Sequence, residues 1–198
     1  MSNEPVRRGA DRTDAIMQAA LDLGREVGYA KLSMEAVASR AGAGKHTLYR
    51  RWPSKGALLL DALLSLHQPA LTYPDTGDLR ADLREQTRQV VDQLAAPPMG
   101  PLLRTLIGEA QNDPAVATAL KERFIDPTAE RLIARLATAR DAGQLSPDVD
   151  LGLAMALLSG PLYYRFLIAH EPLTHEFADA VFDALFAGIG PRPRFSGA

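Results

Sequence analysis

The sequence of 198 residues contains no cysteine, which excludes a disulfide scaffold, thiol catalysis and a cysteine-ligated zinc or iron–sulfur site. No stretch reaches the roughly 18 uninterrupted apolar residues that a membrane-spanning helix needs. The longest candidate, residues 151–169, contains Gly, Ser, Pro and Arg, and is interpreted as a buried helix. The polar N-terminus is followed by no apolar stretch typical of a signal peptide. We therefore expect a cytoplasmic protein without a membrane segment.

Patterns typical of catalysis are also lacking. Ser159 beside Gly160 does not have the strand–turn–helix setting of a nucleophile elbow, and no glycine-rich stretch has the spacing of a phosphate-binding loop. His170, Glu171 and His175 flank a proline in an expected loop with no further metal ligand, so a solvated turn is favoured over a metal site. The sequence therefore predicts no enzyme activity, no cofactor and no metal.

Charge is distributed unevenly along the chain. Residues 1–56 contain ten Lys and Arg against six Asp and Glu, a balance of +4, whereas residues 57–198 contain twelve against eighteen, a balance of −6. A basic head on an acidic body is typical of a protein whose head meets a polyanion. A scattered, solvated charge pattern explains the same numbers, and charge alone does not decide between the two.

Apolar residues recur at helical spacing nearly throughout, and no strand-like alternation persists. The predicted fold is all-α, with a Pro- and Gly-containing linker at 69–77. Pro127 either separates two helices or kinks one long helix. The other predicted helices span about 12–28, 33–42, 45–51, 54–67, 78–95, 100–112, 149–169 and 174–189.

Residues 32–55 have the pattern of a helix-turn-helix. Two short predicted helices are joined at Gly42, where a glycine allows a turn that a side chain would obstruct. The small side chain of Ala38 lets the second helix cross the first closely, and Val37 and Leu48 can pack inward. This arrangement leaves the polar residues of the second helix on its outer face.

That outer face carries groups suited to DNA. Lys45 can reach guanine acceptors, Thr47 can contact a thymine methyl or a phosphate, and His46 offers a ring nitrogen. The hydroxyl of Tyr49 and the ammonium of Lys55 can bind the phosphate backbone. The residues predicted to contact DNA are Ser33, Lys45, His46, Thr47, Tyr49, Arg50 and Lys55.

The string A-G-x-x-x-x-T-L-Y-R-R-W-P-S-K, preceded by Gly-Tyr and by L-S-M-E-A-V-A, resembles the N-terminal domain of TetR/AcrR-type transcriptional regulators over about residues 12–66. The strings DPAVATALKERFIDPTAERL and GPLYYRFLI resemble a recurrent TetR-type ligand domain. Two departures are Gly44, where the family often has a Ser or Thr cap, and His46, where a small residue or Pro is common. We expect His46 to alter base preference rather than abolish binding.

The resemblance implies an N-terminal three-helix DNA-binding domain, residues 1–56, and a C-terminal helical domain for effector binding and dimerisation, residues 57–198, linked by the helix at 54–67. It implies a homodimer on a near-palindromic double-stranded operator. Candidates for the dimer seam, which are alternatively monomer core, are Leu153, Leu157, Phe177, Val181, Leu185 and Phe186. Candidates for an apolar effector pocket, also alternatively core, are Met99, Leu103, Ile107, Phe124, Tyr163, Tyr164 and Phe166.

The function implied is a ligand-responsive regulator, more often a repressor than an activator, released from DNA by a small lipophilic effector. Arg7, Arg8 and Arg12 are expected to add phosphate or minor-groove contacts from a flexible arm. The alternative is a helical interaction module that uses its basic head against an acidic partner without DNA sequence preference.

Overall fold

The computed structural model describes the backbone of residues 4–66 and 73–189 and the side chains of residues 12–66 and 73–188. Within these ranges the chain is helical and has no strand, so the all-α prediction is confirmed. Its α-helices are α1 (Glu4–Val27), α2 (Met34–Arg40), α3 (Lys45–Arg51), α4 (Lys55–Leu66), α5 (Leu79–Ala95), α6 (Met99–Ala110), α7 (Pro114–Leu120), α8 (Asp126–Asp141), α9 (Leu151–Tyr164) and α10 (His175–Ile189).

The chain divides into two compact units. Unit one comprises Met1–Gln68 and Ala96–Phe124, and unit two comprises Pro69–Ala95 and Ile125–Ala198. Unit one therefore contains α1 to α4 together with α6 and α7, so it extends well beyond the predicted boundary at residue 56. These units are defined by contacts within the fold. The predicted boundary at residue 56 instead separates DNA binding from effector binding and dimerisation, and it stays a prediction.

Unit one is held together by close helix packing around α1 and α4. The Tyr29 ring, in a short 3₁₀ turn after α1, lies against Gly24, and its hydroxyl donates to the carbonyl of Leu21 at 3.4 Å. At Gly56, a Cβ would lie only 2.5 Å from Val116 Cγ2 on α7. The absence of a side chain at Gly56 is therefore what allows α4 and α7 to approach this closely.

Unit two has an apolar core that also contains a buried ion pair. Phe182 of α10 is fully buried among leucines of α5, α8 and α9. Arg135 donates from Nη2 to Asp82 Oδ2 at 3.0 Å, and both side chains are almost completely buried. Thr76 donates to the same carboxylate from its backbone N–H and from its hydroxyl. Desolvation of the two charges is thus compensated by direct pairing and by further hydrogen bonds.

Pro127 does not break the chain into separate helices. A π-helical turn, Lys121–Ile125, follows α7 directly, and α8 begins at Asp126 with the proline in its first turn. Proline lacks a backbone donor and is tolerated where a helix begins or its turns widen. A second π-helical turn, Arg165–Ala169, follows α9, which contains Pro161.

Two expectations from the sequence are wrong. Helix α1 begins at Glu4 rather than near residue 12, so the backbone expected to form a flexible arm is helical from Glu4 onward. The side chains of Arg7 and Arg8 lie outside the described residues. The segment Leu151–Ala169 has a length and mean hydropathy, 1.4, that match a membrane span, yet only 22% of its residues are buried. The expectation of a buried helix is therefore wrong, because most residues of this segment are exposed or only half-buried.

Candidate nucleic-acid interface

The first helix of the motif is capped at both ends by its own sequence. Ser33 is the N-cap of α2, and its Oγ accepts a hydrogen bond from the Ala36 N–H at 3.2 Å. Gly42 has a φ of 59°, the left-handed conformation that favours glycine after a helix. The N–H of Ala43 then donates to the carbonyl of Ala38 at 2.9 Å. These bonds fix the turn that carries the chain into α3.

Helix α3 is anchored through two buried side chains. Leu48 is fully buried, as is Val37 on α2 opposite it. Trp52, the C-cap of α3, is 2% exposed, and its Nε1 donates to Asp61 Oδ2 on α4 at 2.8 Å. The anchoring leaves the opposite side of α3 free to face a partner.

The structure places most of the predicted DNA-contacting side chains on that open side. Lys45, His46, Tyr49 and Arg50 are exposed, and Thr47 is half-buried. Helix α2 also supports this surface, because its N-cap Ser33 is exposed and keeps its hydroxyl hydrogen available to a phosphate. Contact with DNA at each of these positions stays a prediction.

The hydroxyl of Tyr49 is engaged within the motif. It donates to Glu35 Oε1, in the first turn of α2, at 3.1 Å. The pKa of the Glu35 carboxyl is lowered, first by a hydrogen bond from its own backbone N–H and then by that from Tyr49. The pKa of the Tyr49 phenol is raised, chiefly by the same hydrogen bond to Glu35. A carboxylate therefore lies next to the surface predicted to meet phosphate.

Lys55 is engaged as well. Its Nζ lies 2.7 Å from Glu109 Oε1 on α6 and donates to the carbonyl of Ala30 at 3.2 Å. The predicted phosphate contact at Lys55 must therefore compete with an ion pair inside unit one. Sequence reasoning missed both Glu35 and Glu109, because the partner of each comes from another helix and no local spacing reveals it.

Asp61 on α4 connects the end of α3 with Arg123. Asp61 accepts from Trp52 through one oxygen and from Arg123 Nη2 through the other, at 2.7 Å. Asp61 and Arg123 border an open surface cavity of about 370 Å³ in unit one. The residues lining the cavity are Thr13, Asp14, Met17, Arg51, Asp61 and Arg123, and none of the seven predicted effector residues is among them.

The predicted effector residues do not all share one unit. Unit one contains Met99, Leu103, Ile107 and Phe124, of which only Ile107 is not buried. Unit two contains the others: Phe166 is buried, Tyr163 is half-buried and Tyr164 is 62% exposed. The exposure of Tyr164 contrasts with the prediction that it lines an enclosed pocket.

The predicted dimer residues separate into two groups. Leu185 and Phe186 belong to the core of unit two, which was the alternative for these residues, and Phe177 and Val181 are half-buried. Leu153 and Leu157 are exposed at 57% and 48%. Two further exposed apolar side chains, which the seam prediction missed, continue this row along α9 and its π-helical turn: Tyr164 and Ile168.

The chain is similar to known regulatory proteins along most of its length. Residues 16–62 match the family described as bacterial regulatory proteins, tetR family, and residues 73–185 match the family described as tetracyclin repressor-like, C-terminal domain. The DNA-binding transcriptional repressor TetR of Mycobacteroides abscessus is 32% identical, over 96% of this chain and 100% of that protein.

Solved structures agree with these sequence matches. The TetR family transcription regulator SCO0332 superposes with a TM-score of 0.75 and 38% identity, covering 91% of this chain and 100% of that one. A flavonoid-responsive regulator, FrrA, superposes with a TM-score of 0.67 and 26% identity, covering 92% and 99%. Both the helix-turn-helix and the C-terminal helices therefore have counterparts in known proteins.

Proposed function

The chain belongs to the TetR family of transcriptional regulators, and from that premise we propose that it is a repressor which binds a palindromic operator as a homodimer and releases it on binding a small effector. Members of this family are non-enzymatic DNA-binding proteins. The protein acts in the cytoplasm, where it meets its operator.

The observation that carries the proposal is the exposed face of α3. Lys45, His46, Tyr49 and Arg50 project from a helix that is anchored from behind by Leu48 and Trp52. A short helix held in this way can enter a major groove with its N-terminal residues at base edges. The net positive charge of residues 1–56 favours contact with the phosphate backbone of DNA, whereas the rest of the chain is acidic.

An exposed apolar row supports the homodimer. Leu153, Leu157, Tyr164 and Ile168 are spaced by four, seven and four residues, so they lie on one side of α9 and its continuation. The exposed side of α10 carries small residues, Ala180, Ala184, Ala187 and Gly188, which allow close approach of another helix. A second copy of the chain would cover this surface, and two copies related by a two-fold axis require an inverted repeat in the DNA.

Release by an effector follows from linkage. A ligand that binds one conformation of the dimer better than another lowers operator affinity by its differential binding free energy. The structural relative FrrA is a flavonoid-responsive regulator, which favours a small organic effector for this chain as well. Helix α4 joins the DNA-binding helices to the rest of unit one, and we expect it to transmit the change.

Selection of bound sequences from a randomised duplex pool, at stated salt, tests this proposal, with the mass of the protein in solution measured in parallel. Enrichment of an inverted repeat by a dimer would support the operator and the homodimer together. A folded dimer that enriches no sequence at low salt would contradict the proposal and favour the alternative, a helical interaction module that uses its basic head without sequence preference.

A further inference from the structure

Three buried nitrogen atoms in unit two have no hydrogen-bond partner among the described residues. They are Gln86 Nε2 on α5 and, on α8, Arg131 Nε and Arg135 Nη1. A buried donor without a partner costs about 1–3 kcal/mol, so folded proteins seldom retain one without a bound water, ion or ligand. All three atoms are donors, and a group that only accepts hydrogen bonds would satisfy them.

The register of α5 against α8 predicts that two of these donors lie near one another. The Leu79 N–H donates to Gln144 Oε1 just beyond α8, and Asp82 pairs with Arg135. Residue numbers thus rise along α5 as they fall along α8, which makes the two helices antiparallel. Four residues beyond the Asp82–Arg135 pair on each helix, about 6 Å along each axis, the antiparallel register predicts that Gln86 and Arg131 face one another.

Tyr73 lies within electrostatic reach of both Arg131 and Tyr163. Burial raises the pKa of the Tyr73 phenol. The charge of Arg131 lowers this pKa to a smaller extent, and Tyr163 raises it slightly. Burial also raises the pKa of Tyr163. The guanidinium of Arg131 is half-buried and forms no ion pair with any acidic side chain in the described part of the chain. A positive charge in partly apolar surroundings is therefore left without a counter-charge.

From this arrangement we infer that Gln86, Arg131, Tyr73 and Tyr163 form a binding site for the carboxylate of a small organic acid. Building on the proposed function, this acid is the effector. A carboxylate accepts several hydrogen bonds and donates none, and it neutralises the guanidinium. A water molecule fits less well, because it cannot neutralise the guanidinium of Arg131. The phenol rings provide apolar surface for the body of the acid, so the effector is amphipathic rather than purely lipophilic.

Binding of carboxylates to the full-length protein tests the site. The probes are benzoate, 4-phenylbutyrate and decanoate, each compared with its neutral amide, by thermal shift and by calorimetric titration. We expect at least one acid to raise Tm while its amide does not, and Arg131→Met to weaken that binding at least tenfold. Arg140→Met, which removes an arginine from the same helix outside the cluster, should bind like the parent protein. Equal binding of acid and amide, no binding of any acid, or unchanged binding to Arg131→Met would overturn the inference.

Stability without ligand provides a second readout. Because Gln86 and Arg131 bury donors that have no partner, Gln86→Leu and Arg131→Met should keep or raise the Tm of the ligand-free protein. A residue with a purely structural role would show the opposite. A fall of several degrees in both variants would assign these side chains to the fold and overturn the site.

The role of the ligand is tested separately from DNA binding. With the duplex found by selection, a carboxylate that binds the parent protein should lower operator affinity at least tenfold and leave the affinity of Arg131→Met unchanged. Operator affinity that does not respond to a bound carboxylate would overturn the effector role while sequence-specific binding stands. A protein that binds carboxylate but selects no duplex would contradict the proposed function and leave the carboxylate site supported.

Discussion

The hydroxyl of Tyr49 has a partner before any DNA is bound, because it donates to Glu35. We expect Tyr49→Ala to weaken specific operator binding by about 5- to 150-fold, the range for loss of one specific contact. The reason is that the side chain projects from the exposed face of α3. Fluorescence anisotropy with the selected duplex, at fixed salt, measures the change.

Two companion variants separate the contributions of the ring, the hydroxyl and the carboxylate. Tyr49→Phe keeps the ring and loses the hydroxyl, and Glu35→Gln removes a negative charge beside the phosphate-facing surface. We expect Glu35→Gln to bind operator more tightly than the parent protein. Unchanged affinity in Tyr49→Ala would contradict the placement of α3 in the groove.

At Asp82, the structure predicts how stability depends on pH. The pKa of this carboxyl is lowered from 3.8, first by the hydrogen bond from the Thr76 hydroxyl and also by Arg135. Since the folded pKa lies below the unfolded value, the stabilisation is complete above about pH 4 and is lost as pH falls through the folded pKa. We expect Asp82→Asn to have a lower Tm near neutral pH and a shallower fall of Tm in acid, measured by circular dichroism. Parallel Tm–pH curves for the two proteins would contradict this.

At the scale of elements, the contact of α4 with α7 predicts an unusual response to a methyl group. Gly→Ala inside a helix ordinarily stabilises by about 0.5–1 kcal/mol. At Gly56 the added Cβ would lie 2.5 Å from Val116, so we expect Gly56→Ala to destabilise by about 1–3 kcal/mol instead. Urea denaturation of the two proteins measures the difference.

Two controls show whether the steric explanation is right. Gly108→Ala on α6 adds the same methyl group where nothing lies within 4 Å, and should not destabilise. Val116→Ala removes the clashing methyl groups, so the double variant with Gly56→Ala should recover part of the lost stability. Additive losses in the double variant would show that the contact is not the cause.

The sequence predicted α2 and α3 well, because Ser33, Gly42 and the Trp52–Pro53 pair mark their ends locally. It predicted the π-helical turn before Pro127 less well, since a proline at a helix start and a proline after a widened turn look alike in sequence. The early start of α1 was missed because the polar residues before Arg12 show no apolar periodicity. Local signals thus determined the helix ends that carry caps and failed at ends that neither a cap nor an apolar period marks.

At the scale of the whole molecule, we expect the subunits of the proposed dimer to separate when a charged side chain is placed in the exposed apolar row on α9. We expect Leu157→Asp to give a folded monomer with much weaker operator affinity, because a lone subunit engages a single half-site. Sedimentation velocity and anisotropy measure the two effects. Ile125→Asp is the matched control, since both side chains are 48% exposed and aliphatic and belong to unit two. A dimeric Leu157→Asp protein would place the interface elsewhere.

Sequence patterns identified α9 and α10 as apolar but could not show which face of each helix packs in the core and which face is exposed. Phe186 packs inside unit two whereas Leu157 is exposed, although both belong to predominantly apolar helices. A face covered by a partner has the same composition as one covered by the chain itself, so only the packing separates them. The same limit applies to the inferred carboxylate site, since Gln86 and Arg131 are distant in sequence and only the antiparallel register of their helices predicts that they lie close together.

Under the proposed function, the ion pair between Lys55 and Glu109 would make DNA binding and the position of α6 mutually dependent. A phosphate that binds this ammonium competes with the carboxylate of Glu109, so duplex binding would weaken the ion pair between the start of α4 and α6. By reciprocity, any change that tightens this pair lowers affinity for DNA by the same factor. Glu109 and a DNA phosphate would thus compete for the same lysine, and the operator would act as an effector on the contact between α4 and α6.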